Sequence, residues 1–465
     1  MLPFFVLLAI PIALIWWLAL VRGGGLMVAS LLTLFAGICF GPPFFQVGPL
    51  SSERLLVVLL GGTYLVLRKR SATDEKPISS IDVWVGLFLL TLVASTFAHD
   101  WRWESNKPVG RLLFYYVMPA VMYVVARQMR VETRDVATML YSSAGLGVYL
   151  ALTSIAEKTD QIWAVIPRYI GLSVHAEFLG RGRGPLLNPS GNGILLCAGM
   201  FSLLMLWPHV GRLGKCAILA LSVVYSGGIF CTLTRCVWLG AMAGAAVVAL
   251  LAFPPRVRRA AVVCCLLLGV VAVPVTWKKF NNFKRDKNVS VSEMSQSASL
   301  RPILAYVAWE IFKSHPLTGV GLGQYKNADK YYLNDRSTAL VLERVRPYHQ
   351  HNVVLSLLTE TGLIGACFFL ATQIVWIRAA FLLWKQQSLP LLYRQVGLLF
   401  LTLQAAYFAN GMFQDVTIIP MVHMTTFFCA GLTVGLFVKH ATQLPSQAWK
   451  GVSLGNWRRY GVFPS

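Results

Sequence analysis

The sequence is short of charge, and shorter still of acid. Charged residues make up 13% of the 465, with 19 Asp and Glu against 41 Lys and Arg, whereas soluble domains carry about 25%. That scarcity excludes an ordinary soluble globular protein. It also leaves no carboxylate cluster in the polar stretches to hold a hard cation, so neither a metal nor a cofactor is expected. No CxxC pair occurs, and the nine cysteines fall in or beside apolar runs. They read as small packing residues, not a disulfide frame or a zinc site. The N-terminal run MLPFFVLLAIPIALIWWLAL lacks a basic leader and a small-residue cleavage site. It reads as a retained span, not a signal peptide. Internal repeats and short alternating strands are both absent, which excludes a solenoid and an outer-membrane barrel.

Apolar sequence is what abounds. Hydrophobic residues reach 56%, mean hydropathy is +0.61, and runs of membrane-spanning length recur from end to end. The chain is therefore expected to be an all-α polytopic integral membrane protein. A formal net charge of +22 does not imply a nucleic-acid partner, because the basic residues are spread over short loops. They fit the excess of Lys and Arg in cytoplasmic loops and attraction to anionic membrane lipids. Alternating the loops from the basic tail at 439–465 gives about twelve transmembrane helices. Three parts follow: an N-terminal helix bundle at 1–276, a long external segment at 277–351, and C-terminal helices with a cytoplasmic tail at 352–465.

The external segment is the one long polar run. Within it, residues 301–313 carry Ile303, Leu304, Val307, Ala308, Ile311 and Phe312 near helical spacing, as in an amphipathic helix able to lie on the membrane surface. Arg301 opens that helix. The following HPLTGVGLGQY has a phosphate-loop look, but lacks the flanking strand, helix and lysine, and reads as a tight turn. The segment closes on Tyr348, His349, Gln350, His351 and Asn352, immediately before an apolar run. A histidine at the membrane edge can take a proton from a hydroxyl near the bilayer surface.

Four arginines fall on the external side by the same alternation. Arg181 and Arg183 lie in the Gly- and Pro-rich HAEFLGRGRGPLLNPSGNG, Arg235 ends the turn TLTR, and Arg301 begins its helix. In a long loop, snorkelling to lipid phosphates accounts for an arginine. In a turn as short as TLTR, external positive charge opposes the positive-inside bias. A guanidinium there can hold a phosphate or pyrophosphate with two parallel bonds.

The ordered set GRGRGPLLNPSGNG, LTRCVWLG, RPILAYVAWEIFKSHPLTGVGLGQY and YHQHNVVLSLLTETGLIG resembles the O-antigen ligase and polymerase superfamily. The likeness covers the middle and C-terminal two thirds of the chain, roughly, and the HN–x9–GLIG pattern is most similar to the ligases. It implies a GT-C-like membrane fold with a periplasmic site in the inner membrane of a Gram-negative bacterium. Arg235 matches the arginine of a TxSR-like turn, Arg301 the arginine opening the external helix, and His351 the histidine of the HN motif. These three are the implied catalytic residues. Arg181, Arg183, Asn188, Gln324, Tyr348 and His349 are the candidates for binding substrate. Ser190 stands where the NPN-like loop has its second asparagine. Gly362, at the GLIG spacing, places His351 at the head of a regular helix.

The implied reaction moves a polysaccharide from undecaprenyl pyrophosphate to a sugar hydroxyl of the lipid A core. A polymerase and a protein O-oligosaccharyltransferase are alternatives of the same class. A transporter of a polyanionic lipid is a different one. It should carry its charges at the bilayer midplane, whereas those singled out here lie at one interface.

Overall fold

The computed structural model describes Trp17 and residues 25–441, apart from 260–290 and short gaps at 48–49, 70–72, 75, 103–106, 173, 175–176, 336, 339 and 347. The apolar runs become α1 (Gly25–Cys39), α2 (Ser52–Lys69), α3 (Ser80–Phe97), α4 (Pro108–Gln128), α5 (Thr133–Lys158), α6 (Pro189–Met205), α7 (Arg212–Cys231) and α8 (Arg235–Ala252). The polar segment forms α9 (Val291–Ser314) and α10 (Tyr325–Leu333). The C-terminal part is α11 (Val353–Lys385), α12 (Leu391–Gly411) and α13 (Pro420–Ala441). The two-residue strands Gln46–Val47 and Leu50–Ser51 pair antiparallel.

Helices dominate because the bilayer offers no water to the backbone, so every peptide group must bond within its own segment. Their starts are written in the sequence. Ser79 N–H donates to Asp82 Oδ2 (2.7 Å) and Glu132 N–H to Asp135 Oδ2 (2.8 Å), while Asn188 and Asn352 accept the first free amides of α6 and α11.

Among the described residues, eight helices (α3 to α8, α11 and α13) are long and apolar enough to cross a membrane. The chain is a multi-pass helical membrane protein. The expected count of about twelve also drew on residues 260–276 and most of residues 3–24, which lie outside the described residues. It drew as well on α12, which buries Gln395, Gln404 and Asn410. A helix enclosed by others need not be apolar, and α12 lies against α6, α8 and α11. α13 packs on α4 so closely that a methyl group at Gly431 or Gly435 would meet the carbonyl oxygens of Tyr123 (2.3 Å) or Arg127 (2.5 Å). Small residues one turn apart are how helices approach each other in lipid.

Helix direction alternates from α3 to α8 and again from α11 to α13, and loop contacts define two ends. At one, Gln324 Nε2 donates to Asp100 O (2.7 Å), Arg181 Nε to Thr232 O (3.3 Å), and Asn352 Nδ2 to Met412 O (3.1 Å). At the other, Lys439 Nζ meets Asp74 Oδ2 (2.8 Å), and His209 Nε2 lies 2.9 Å from Gln395 Oε1.

Two expectations need correction. The apolar face of α9 does not lie on a membrane surface. Ile303, Leu304, Val307 and Ile311 close a core of their own with Tyr325 and Leu333 of α10 and with Leu342 and Val345. Burial against other apolar side chains removes them from water without help from lipid. α11 is also not a regular helix. At Gly362 (φ 63°, ψ −166°) it breaks, and the loop after α9 enters the break. Thr359 O and Glu360 O, which a continuous helix would bond to residues 363 and 364, accept instead from Val320 N–H (2.9 Å) and Gly321 N–H (3.0 Å). The N–H groups of Leu363 and Ile364 donate to Pro316 O (2.8 Å) and Leu317 O (3.2 Å). Four groups freed by the break are all satisfied by one loop, which is what burial demands of them.

Only glycine fits that junction. A methyl group at Gly362 would sit 2.3 Å from the carbonyl carbon and oxygen of Leu317, on a backbone of left-handed φ. Gly362→Ala is expected to destabilise the protein by about 3 kcal/mol or more, while Gly86→Ala, with nothing within 4 Å, should be near neutral. Thermal unfolding in detergent checks this, and equal melting of the two variants would contradict the break.

Candidate functional site

The break is held from below by an ion pair. Arg111 Nη1 of α4 lies 2.8 Å from Glu360 Oε1, with both side chains buried. Gly323 N–H also donates to the Glu360 carboxylate. Ser95 Oγ of α3 donates to Glu360 O (3.2 Å) and accepts from Leu322 N–H (3.0 Å). Three helices and the loop 315–324 therefore converge on Glu360, on its carboxylate and its backbone carbonyl together. The glycines of GVGLG, all at positive φ (68°, 103° and 79°), let the loop fold this tightly; the loop is part of the scaffold rather than a phosphate cradle.

Above the break, α11 begins with the HN pair. Asn352 caps the helix through Val354 and Leu355 (2.8 and 3.0 Å). Gln350 is buried and donates to Thr359 Oγ1 (2.8 Å). With its neighbours tied inward, His351 stays half-buried at the surface, its ring 6.2 Å from that of the exposed Tyr348. His349 is packed 6.3 Å from the ring of Tyr325. Among the described residues, neither imidazole makes a hydrogen bond, so their ring nitrogens are open to a ligand. Burial, and then the charges of Arg301 and Lys326, hold His351 below the ordinary histidine value. Burial and the charges of Arg111, Lys326 and His351 push His349 down to about 4. Both rings are neutral at neutral pH, as a proton acceptor must be.

The four arginines divide into two kinds. Arg301 is exposed, its guanidinium 5.5 Å from the ring of Phe413 in the loop after α12. Its charge bears on His351 and also on Cys236, the residue after Arg235. Arg235 is exposed at the first position of α8. Arg301, Arg235 and His351 thus come from three distant stretches to one end of the bundle. Arg181 stands behind them: it donates to Thr232 O (3.3 Å) and Thr234 Oγ1 (2.6 Å). It thereby braces a turn in which Leu233 takes φ 50°, a costly conformation for leucine.

Arg183 and Gln324 are buried rather than open to substrate as expected, and Asn188 is half-buried with its Oδ1 engaged. Arg183 is fully buried, paired with Glu157 (3.3 Å) and bonded to Ile170 O and Glu177 O (2.6 Å each). Asn188 is a helix cap. Gln324 is buried against Asp100 O. Their polar atoms are engaged in holding loops. Sequence reasoning missed Arg111, Glu360 and Lys326. For the first two the signal was present, as an acid within the apolar run after His351 and an arginine opening another, since intramembrane charge is rarely idle. Among the described residues, no group of three or more His, Cys, Asp or Glu gathers.

Arg111→Met and Glu360→Gln should each cost about 3–5 kcal/mol by stranding a buried charge or its donors. The pair Arg111→Met with Glu360→Met should cost less than the sum. Thermal unfolding of the three variants reads this, and additive losses would mean that the two do not act together.

Residues 218–370 match the sequence model of the family described as O-antigen ligase. Comparison with curated proteins gives no match. The matched stretch contains the TLTR turn, α9 with Arg301, the inserted loop, His351 and the break in α11. The ordered motifs, their convergence and this match over about a third of the chain support one conclusion, membership of the O-antigen ligase superfamily.

Proposed function

We propose that the protein is an O-antigen ligase of the bacterial inner membrane, joining a polysaccharide carried on undecaprenyl pyrophosphate to a sugar hydroxyl of the lipid A core at the periplasmic face. The observation that carries this reading is that Arg301, the Arg235 turn and His351 share one end of the bundle, where the charge of Arg301 bears on His351 and on Cys236 beside Arg235. A proton acceptor and two guanidinium groups at one membrane edge match the needs of glycosyl transfer from a diphosphate. Orientation is supported by the opposite end, where Arg130, Arg134, Arg212, Lys215, Arg258, Arg259 and Arg394 cluster near helix termini, as cytoplasmic loops do.

In the proposed step, the acceptor oxygen attacks the anomeric carbon of the donor sugar. Its proton passes to His351, and the bond from that carbon to the phosphate oxygen breaks with its electron pair leaving on the pyrophosphate. Arg235 and Arg301 hold the pyrophosphate and meet the charge that grows on it, a fixed positive field that needs no reorganisation. Arg181 holds the Arg235 turn in place. The lipid carrier supplies the driving force, since the glycosyl–phosphate bond is the one consumed.

His351→Ala and Arg301→Ala should leave inserted, monodisperse protein while lowering transfer by about 100-fold or more. Arg235→Lys should also be poor, because a point charge cannot replace the planar fork. The readout is capped lipopolysaccharide on a gel and transfer by purified protein given lipid-linked glycan with lipid A core. A normal ladder from His351→Ala would end the assignment of the base. Extension of lipid-linked glycan in preference to transfer to core would make the protein a polymerase. The rate should fall on the acid side with a midpoint below the ordinary histidine value of 6.5, because only the neutral ring accepts a proton and its proton affinity is lowered.

A further inference from the structure

Neither the family match nor the proposed reaction gives a role to Lys326, in the first turn of α10. Its ammonium group has three N–H bonds to donate, and all three are used. Two go to backbone carbonyls just before the histidines: Arg346 O (2.6 Å) and Tyr348 O. The third meets Asp329 Oδ2 one turn on (3.2 Å). Lys326 is mostly buried and Asp329 almost wholly so, which makes the charge costly unless its partners are fixed. Tyr325, the preceding residue, packs against His349 from the same helix turn. α10 is itself anchored, through Tyr325 and Leu333, in the core that α9 forms.

We propose that Lys326 is the positioning residue of this site: it fixes the backbone at Arg346 and Tyr348 against α10 and sets a permanent positive charge behind both histidines. The inference rests on the reading of His351 as the base, and it concerns how that base is held and kept unprotonated. The charges facing the two rings come from several elements: Arg301 on α9, Lys326 on α10, Arg111 on α4, and His351 on His349. Of these, Lys326 alone bears on both rings and bonds the backbone that carries them. The guanidinium of Arg301 acts in the proposed reaction, and Arg111 is committed to Glu360, so neither can be removed without other damage. Lys326 is thus the place where base strength can be altered apart from substrate binding.

Two substitutions separate charge from bonding. Lys326→Arg keeps the charge but cannot place three N–H groups at one point. Lys326→Gln keeps two donors and loses the charge. Each would be compared with the wild type as full-length protein in lipid nanodiscs. The first readout is the rate of transfer against pH. The second is the pH dependence of diethyl pyrocarbonate labelling of His349 and His351, read by mass spectrometry; it follows the rings whether or not they catalyse. For Lys326→Gln, removing a positive charge raises the proton affinity of both rings. The acid limb of activity and both labelling midpoints should move up together, by about 0.5–1 pH unit. Lys326→Arg should leave the midpoints in place while lowering the rate at neutral pH by about tenfold. Midpoints unmoved in Lys326→Gln would overturn the inference, whatever the rate does. Midpoints that move while the acid limb of activity stays would keep Lys326 in its role and remove His351 from its own.

Discussion

The structure depends on a trade of four backbone hydrogen bonds. α11 gives up the bonds across Gly362, and the loop after α9 supplies all four replacements. In lipid an unpaired peptide group is heavily penalised, so a break in a spanning helix survives only where another chain segment fills it completely. The trade explains why the polar segment is not a loose insertion. It is stitched into a membrane helix at the level of Glu360, and Arg111, Ser95 and Gly323 close around the stitch. The position of the HN pair, one short helix above the break, is fixed by the same bonds.

Electrostatics then sorts the basic residues by depth. Arg183 and Arg111 are paired with carboxylates inside the bundle, and their charge is balanced where they stand. Arg181 is buried on neutral oxygens and stiffens the turn above it. Arg235 and Arg301 remain at the surface. Positive charge at that end disfavours protonation of the two histidines beside it.

Much of this was legible in the sequence. Helix boundaries followed from apolar runs, and α3 through α8 lie close to where hydropathy and loop charge put them. The grouping of Arg235, Arg301 and His351 was readable through ordered motifs, because motif order carries three-dimensional information that spacing alone does not. What escaped was non-local. The break at Gly362 cannot be seen from α11 alone, since the atoms that repair it are more than forty residues earlier, at 316–321. The apolar face of α9 has the same period whether it meets lipid or α10. Lys326 looks like any solvated lysine until the carbonyls of Arg346 and Tyr348 turn toward it. Arg183 and Asn188 were chosen for residue type at an external loop, and residue type does not reveal that Glu157 or a helix start already engages them.

The loop between α12 and α13 completes this end of the molecule late. Phe413 lies against Arg301, Met412 O accepts from Asn352, and buried Asp415, bonded to Thr417 (2.6 Å), sits within the field of Arg111. These residues belong to a helical hairpin that leaves the ribosome after α11. A nascent chain that has made α4, α9 and the start of α11 holds every residue proposed for chemistry, yet the surroundings that fix them are missing. In chain order, the contacts that fix the site come after the residues that they fix.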